Sequence, residues 1–334
     1  MKRVMTFVLA IAVMFSFTIL LSSCDKKNQQ VLQGDKGDQG IQGVQGDKGD
    51  QGKTGATIAK VEYDALGRLV ITLSDGTVLD PVDNGTDGLT YYLFPDGTYG
   101  VTVGTAKYLS QIEIPATYNG KPVTQILMSA FSGATNLTSI TIPDSVTSIG
   151  NSAFSDCTSL TSVVIPDSVT SIGNAAFSDC TSLTSVVIGD SVTSIGNYAF
   201  SSCSSLSSVV IPDSVTSIGT SAFSGCSSLT SVVIPDSVTD INAFRDCSSL
   251  TSVVIGDSVT SIDTSAFSGC TSLTSVVIPD SVTGIGYSAF QYCANLTDVY
   301  YTGSEAEWQE IEIGNENDFL LGATIHYNYV PEEQ

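Results

Sequence analysis

The chain has 334 residues and a formal net charge of −22 at pH 7, because 34 acidic residues oppose only 12 basic ones. After Lys121 the only basic residue is Arg245, so the clusters of Lys and Arg that bind nucleic acids, phosphates or anionic lipid surfaces are missing from most of the chain. His326 is the only histidine, which excludes Ser-His-Asp and Cys-His catalytic arrangements and mixed Cys/His zinc sites elsewhere. We therefore expect neither an enzyme nor a nucleic-acid-binding protein, and no cofactor.

Residues 1–23 are predicted to form a secretory signal. Lys2 and Arg3 precede an apolar run over residues 4–21, and a basic start followed by an apolar stretch is typical of such signals. The following Ser-Ser-Cys24 completes a sequence that resembles a bacterial lipobox, in which the cysteine is lipidated and becomes the first mature residue. The resemblance implies lipidation at Cys24 and attachment to the bacterial cell envelope. An uncleaved membrane anchor is the alternative, since the apolar run is long enough to span a bilayer.

A Gly-X-Y segment follows a linker over residues 24–33. Glycine occupies every third position over residues 34–55. The segment resembles the collagen-like repeats of bacterial surface proteins, in which only glycine fits the crowded axis of three wound chains. The resemblance implies a stalk that joins three copies of the chain, a homotrimer. A flexible polar linker is the alternative, because the segment contains no proline.

Residues 56–89 are predicted to form a small β module that acts as a spacer. Apolar and polar residues alternate at period two in Ile58–Tyr63, Leu69–Leu73 and Thr77–Leu79, with turn sequences between them. So short a segment buries too little surface for an independent core. We expect the module to trimerise or to dock on the domain that follows.

An internal repeat occupies most of the remaining chain. Its period is marked by Phe131, Phe154, Phe177, Phe200, Phe223, Phe244, Phe267 and Phe290. The step is 23 residues, except for 21 between Phe223 and Phe244. A fixed period of this size predicts a solenoid in which each coil buries its apolar side against its neighbours. We expect the shortened unit to tighten one turn and to cause a local kink without displacing the core.

One unit shows how a coil would bury its apolar side. In Leu160–Ile165 the leucine, Val163 and the isoleucine are expected to face inward, while Thr161, Ser162 and Val164 face solvent. The following Pro-Asp-Ser sequence predicts a turn, because proline fixes φ and ends strand pairing. Phe177 is expected to fill the interior of the coil.

This pattern resembles the leucine-rich repeat in its BspA-like, treponemal form. The resemblance is carried by Leu160-Thr-Ser-Val-Val-Ile-Pro-Asp-Ser-Val-Thr-Ser-Ile-Gly173 and by Ala176-Phe-Ser-Asp-Cys180. It implies a mainly β solenoid of about nine coils ~4.8 Å apart. An N-terminal cap and first coil would cover residues 90–136, seven repeats residues 137–295, and a C-terminal cap residues 296–334. In that last cap, the capping-box spacing of Ser304 and Glu307 predicts a short helix that carries Trp308.

A cysteine column is the first candidate site, comprising Cys157, Cys180, Cys203, Cys226, Cys247, Cys270 and Cys293. Disulfides between neighbouring coils are one interpretation. Parallel Cβ vectors and an odd count favour the other, in which each thiol is a small buried hydrophobic group. A linear ladder of thiols does not form a tetrahedral metal site, so we expect no metal.

An aspartate column comprises Asp144, Asp167, Asp190, Asp213, Asp236, Asp257 and Asp280. A ladder of calcium sites is one interpretation, but each turn supplies a single carboxylate and calcium needs six or more oxygen ligands. We expect instead that each aspartate caps the backbone of its own turn.

The outward strand positions form a third column, comprising Thr141, Val164, Val187, Val210, Val233, Val254, Val277 and Tyr300. Hydroxyl residues lie beside it at Thr161, Thr184, Ser207, Thr230, Thr251 and Thr274. This stripe is a candidate adhesive face. The alternative is that valine recurs here only because β-branched residues favour strands. Because the coils are nearly identical, we expect an extended or repetitive ligand. The few departures are Tyr198, Tyr287, Tyr292 and Arg245, which should be tested first.

These features predict a surface-exposed lipoprotein of the bacterial cell envelope. BspA-like proteins are associated with adhesion to host matrix proteins and other bacteria, so the resemblance implies an extracellular protein or glycan as partner. The membrane would be contacted only through the N-terminal lipid. A structural spacer or envelope scaffold that binds nothing specific is the alternative function.

Overall fold

The computed structural model describes residues 58–63, 69–74, 76–82 and 86–331. The predicted signal, Cys24 and the collagen-like segment lie outside these residues. No helix within the described ranges combines the length and the apolar character that crossing a membrane requires.

The predicted β module contains a three-stranded antiparallel sheet. Its strands are β1 (Ile58–Tyr63), β2 (Leu69–Leu73) and β3 (Val78–Val82), in the order β1-β2-β3. The first two strands have the bounds that the alternating pattern predicts. The third runs beyond the predicted end at Leu79 and includes Pro81, which is tolerated because β3 is an edge strand.

Two columns of short parallel strands build the solenoid. The first column contains β6 (Gln111–Glu113), β9 (Ser139–Thr141), β11 (Ser162–Val164), β13 (Ser185–Val187), β15 (Ser208–Val209), β17 (Ser231–Val233), β19 (Ser252–Val254), β21 (Ser275–Ile278), β23 (Asp298–Tyr301) and β25 (Thr324–His326). The second contains β8 (Lys121–Ile126), β10 (Ser148–Ile149), β12 (Ser171–Ile172), β14 (Ser194–Ile195), β16 (Ser217–Ile218), β18 (Asp240–Ile241), β20 (Ser261–Ile262), β22 (Gly284–Ile285) and β24 (Glu312–Ile313). Equivalent residues pair in register, as in Val163 with Val186 and Ile149 with Ile172. The prediction of a mainly β solenoid is confirmed.

The N-terminal end of the second column is closed by a hairpin. Strands β4 (Thr90–Leu93) and β5 (Tyr99–Thr102) are antiparallel, and β5 pairs with β8. Strand β7 (Thr117–Tyr118) folds back on β8, and a 3₁₀ helix spans Gly104–Tyr108. The rings of Tyr91 and Tyr118 stack with centroids 3.8 Å apart.

A continuous column of stacked phenylalanine rings forms the centre of the core. All eight rings from Phe131 to Phe290 are fully buried. Neighbouring centroids are 5.0–5.7 Å apart and the rings are close to parallel. In the central coils Phe200 and Leu206 are 0% exposed and Ile211 is 6% exposed, which confirms the predicted inward face.

The shortened coil changes the sheets and leaves the core column in place. The rings of Phe223 and Phe244 remain stacked at 5.3 Å and 1°. Both strand ladders are interrupted here, since neither β15 and β17 nor β16 and β18 are joined in one sheet, but the first ladder is also interrupted between the full-length coils of β9 and β11. The core column is thus not displaced, as expected, whereas the local kink stays a prediction.

Glycine is required where the backbones of successive coils approach closely. A Cβ atom would lie 2.6 Å from the Asn151 nitrogen at Gly173 and 2.4 Å from the Asn197 nitrogen at Gly219. Asp263 occupies the same column, directly after the shortened coil. Because that coil lacks two residues between its second strand and its phenylalanine, its backbone takes a shorter path and a side chain is accommodated.

The C-terminal cap contains two short helices. Helix α1 (Glu305–Gln309) begins with the predicted capping box, in which Ser304 and Glu307 bond each other's backbone amides. Trp308 is 8% exposed and packs edge-on against Tyr301, with centroids 5.1 Å apart. Helix α2 (Asp318–Gly322) precedes β25. The predicted helix and its tryptophan are thus confirmed.

Candidate functional site

The first strand column presents an outward face that is uncharged from β11 to β21 and reaches Asp298 and Tyr300 on β23, and we call it the valine face. It comprises Val164, Val187, Val210, Val233, Val254, Val277 and Tyr300, together with the serines of the same strands. The four valines from Val164 to Val233 are 42–63% exposed, whereas the last three residues are half-buried. Alternate residues such as Val163 are buried, so the predicted inward and outward positions are correct.

A hydroxyl ladder borders the valine face. Each hydroxyl from Thr161 to Thr274 donates a hydrogen bond of 3.0–3.4 Å to the backbone carbonyl of the equivalent residue in the preceding coil. These bonds hold the side chains in one orientation, which lowers the entropy that a ligand must remove on binding. The repeat predicts the position of these hydroxyls but not the ladder. The signal was available, since a Ser or Thr recurs at this position in every coil.

An aromatic cluster ends the valine face at the C-terminal cap. The ring of Tyr300 stacks on His326 with centroids 4.7 Å apart, and Tyr329 lies at the same distance on a tilted plane. His326 Nε2 is 2.7 Å from a carboxylate oxygen of Asp298, and this hydrogen bond lowers the pKa of Asp298. The sequence pattern does not associate His326 with the face, because only strand register brings it beside Tyr300.

The seven column cysteines are free and buried, so their interpretation as small hydrophobic groups is confirmed. Each thiol also donates to the carbonyl of the phenylalanine in the preceding coil, with an Sγ–O distance of 3.2 Å. Burial raises the pKa of Cys203, Cys247 and Cys293 to about 12. These thiols are therefore protonated at physiological pH.

This protection predicts the thiol reactivity of the folded protein. At pH 8 a thiol of pKa about 12 is ionised roughly a thousandfold less than an ordinary one. Because all seven column cysteines are also 0% exposed, we expect iodoacetamide to leave them unmodified in the native protein and to alkylate all seven in guanidinium chloride. Mass spectrometry measures the added mass. Prompt native alkylation of Cys203 would contradict the buried, protonated state.

Two of the seven column aspartates accept hydrogen bonds from the next coil and none is seen to cap its own turn, so the prediction that each aspartate caps its own turn is wrong. The amide of Asp190 donates to the Asp167 carboxylate at 2.9 Å, and the amide of Asp257 donates to Asp236 at 2.8 Å. The turn itself closes through its backbone, as where the Val169 amide donates to the Pro166 carbonyl. No described hydrogen bond joins a column aspartate to its own turn. Across the described ranges, no three His, Cys, Asp or Glu side chains are grouped to hold a metal ion.

The departures from the repeat lie away from the valine face. Tyr198, Tyr287 and Tyr292 are 50–61% exposed. Tyr198 and Tyr292 have φ values of 57° and 64°, in the left-handed region that bulky residues rarely adopt. Arg245 forms a salt bridge of 3.3 Å with Asp246. The structure does not bring these residues into one cluster with the valines.

Comparison with known families identifies the repeat. A family model described as "BspA type Leucine rich repeat region" matches residues 124–243 and 240–311, in six copies. The chain belongs to this BspA-type family. BspA-type repeat regions form solenoids of the kind described here, and such repeat scaffolds are typically non-enzymatic.

Solved structures similar to this BspA-type chain include two bacterial leucine-rich proteins and a pneumococcal antigen. A leucine-rich repeat protein of T. pallidum is 27% identical with a TM-score of 0.47, over 64% of this chain and 90% of that one. A leucine-rich cell surface protein of Faecalibacterium prausnitzii is 26% identical with a TM-score of 0.31, over 70% and 98%. The pneumococcal vaccine antigen PcpA is 16% identical with a TM-score of 0.36, over 73% and 86%. No curated protein sequence matches the chain.

Proposed function

We propose that this protein is a bacterial surface lipoprotein whose valine face binds an extracellular protein or glycan. The observation that carries the proposal is the run of four exposed valines in consecutive coils of an acidic protein. An apolar stripe flanked by oriented hydroxyls suits recognition of another macromolecule. From β11 to β21 the strand face carries no charged residue, unlike the aspartate turns that follow the strands.

Attachment and display extend this proposal to the N-terminal residues. Lipidation of Cys24 would anchor the chain, and the Gly-X-Y segment would hold the solenoid away from the membrane. If that segment joins three chains, three valine faces would act together, so avidity would strengthen weak individual contacts. A cell-surface location agrees with the description of the similar Faecalibacterium prausnitzii protein.

A double substitution tests the valine face. The soluble chain over residues 25–334, presented to host matrix proteins and to bacterial cells, should bind saturably. Val210→Asp with Val233→Asp should weaken that binding at least about tenfold, because two charges would be desolvated at the interface. Surface plasmon resonance and cell-binding assays measure the effect, and thermal unfolding checks the fold.

The matched control adds the same charge on another side of the coil. Asn174→Asp with Asn197→Asp retains the side-chain oxygens that accept backbone amides of the next coil, so binding should be unchanged. Binding that survives the valine substitutions would place the site elsewhere. A wild-type chain that binds none of these partners would favour the spacer function.

A further inference from the structure

One coil of the solenoid departs from the others at several positions. In the outward row of the second strand column, this coil carries Gly284 at a position that is serine in five other coils. Those serines are Ser148, Ser171, Ser194, Ser217 and Ser261. Three residues later, Tyr287 stands where Asn151, Asn174 and Asn197 stand in earlier coils. Because the coils are otherwise nearly identical, a site unique to one position along the solenoid must be built from such departures.

The missing side chain at Gly284 opens a shallow groove on the second strand column. The groove has a volume of about 450 Å³ and is lined by Ser261, Gly284, Ile285, Gly286, Glu312, Ile313 and Gly314. A Cβ atom at Gly284 would meet nothing within 4 Å. The backbone of Tyr287 borders the same groove, since its nitrogen lies 2.7 Å from the Cβ position of Gly314. The tyrosine is 53% exposed.

The groove lies among carboxylates that have no basic partner. Glu312 lines the groove, Asp240 lies two strands from Gly284 in the same outward row, and Asp263 accepts a 2.6 Å hydrogen bond from Ser261. Within the described part of the chain after Lys121, Arg245 is the only Lys or Arg, and it pairs with Asp246. The same row in the preceding sheet carries uncharged serines. The local field therefore favours a cationic ligand.

We infer that this groove binds an extended basic peptide segment of a partner protein. Strand pairing places Asp240, Ser261, Gly284 and Glu312 in consecutive positions along the solenoid, so the outer two are roughly 14 Å apart at ~4.8 Å per strand. An extended peptide repeats its side chains on one face every ~6.8 Å, so basic residues at positions i and i+4 match that separation. The side chain between them, ~6.8 Å along the row, lies over the small residues Ser261 and Gly284. This site is separate from the valine face and does not depend on it.

A pair of labelled peptides tests the charge requirement. The fluorescein-labelled peptide Lys-Ser-Val-Ser-Lys, titrated with the soluble chain over residues 25–334, should show a saturable rise in fluorescence polarisation at low ionic strength. Its Glu-Ser-Val-Ser-Glu counterpart should not bind, and added salt should weaken the lysine peptide. Equal binding of both peptides, or binding of neither, would overturn the inference.

Two variants locate the binding in the groove. Gly284→Tyr fills the open space and should weaken the lysine peptide about tenfold or more, and Glu312→Gln should weaken it about two- to fivefold. Glu305→Gln removes the same charge on α1 and should have no effect, as should the double change at Val210 and Val233. Unchanged melting would show that Gly284→Tyr remains folded, since its side chain extends into open space. Full affinity in both groove variants would place the peptide elsewhere and overturn the inference.

Discussion

Replacing Phe200 with alanine should lower the free energy of unfolding by about 3–5 kcal/mol. The ring is fully buried and stacks on Phe177 at 5.2 Å and on Phe223 at 5.3 Å. Its loss removes contacts in two neighbouring coils at once and leaves a cavity that the hydrogen-bonded ladders prevent from collapsing. Urea denaturation followed by circular dichroism measures the change.

Phe319→Ala provides the matched control for this prediction. Phe319 lies on α2 and is 39% exposed, so the same substitution should change stability by less than about 1 kcal/mol. Similar losses at both positions would contradict the view that the central ring column holds the solenoid together. A loss at Phe200 below about 1 kcal/mol would contradict it as well.

Replacing Gly219 with alanine should destabilise the solenoid by about 1–3 kcal/mol, although it adds only one methyl group. The new Cβ atom would lie 2.4 Å from the backbone nitrogen of Asn197 and 2.6 Å from the carbonyl carbon of Gly196. Backbone atoms cannot rotate away as a flexible side chain can, so the two coils must separate. Their separation would lengthen the hydrogen bond between the Gly219 amide and the Ile195 carbonyl. Thermal and urea unfolding measure the loss.

Gly284→Ala is the control for the glycine prediction. Its Cβ atom would meet nothing within 4 Å, and alanine reduces the conformational entropy of the unfolded chain. Stability should stay the same or rise by up to about 1 kcal/mol. If both glycines tolerate alanine equally, the close approach of the coil backbones at Gly219 does not constrain the fold.

The buried columns could be predicted from the sequence because periodicity alone determines which residues face inward. Phe200, Leu206 and Ile211 recur at fixed positions in every unit, and a recurring apolar residue must find the same environment in each coil. The helix carrying Trp308 was predictable for a local reason, since its capping box lies within four consecutive residues.

Contacts between coils were less accessible to sequence reasoning. The carboxylate of Asp167 could accept a hydrogen bond from its own turn or from the amide of Asp190. Only the distance between coils determines which of the two bonds forms. The same distance between coils explains why position 219 requires glycine. For the candidate sites, the outward direction of Val210 followed from alternation. The groove at Gly284 could not be foreseen, because an empty position becomes a cavity only when the neighbouring strands are in register.

The side chain of Asp263 has a consequence for the fidelity of folding. A chain of look-alike units can in principle skip one coil and stack the next in its place, with nearly all contacts reproduced. Asp263 fits only behind the coil with the short path, because at Gly173, Gly219 and their counterparts a Cβ atom would overlap the preceding backbone. One irregular coil thus fixes the register in which the repeats stack.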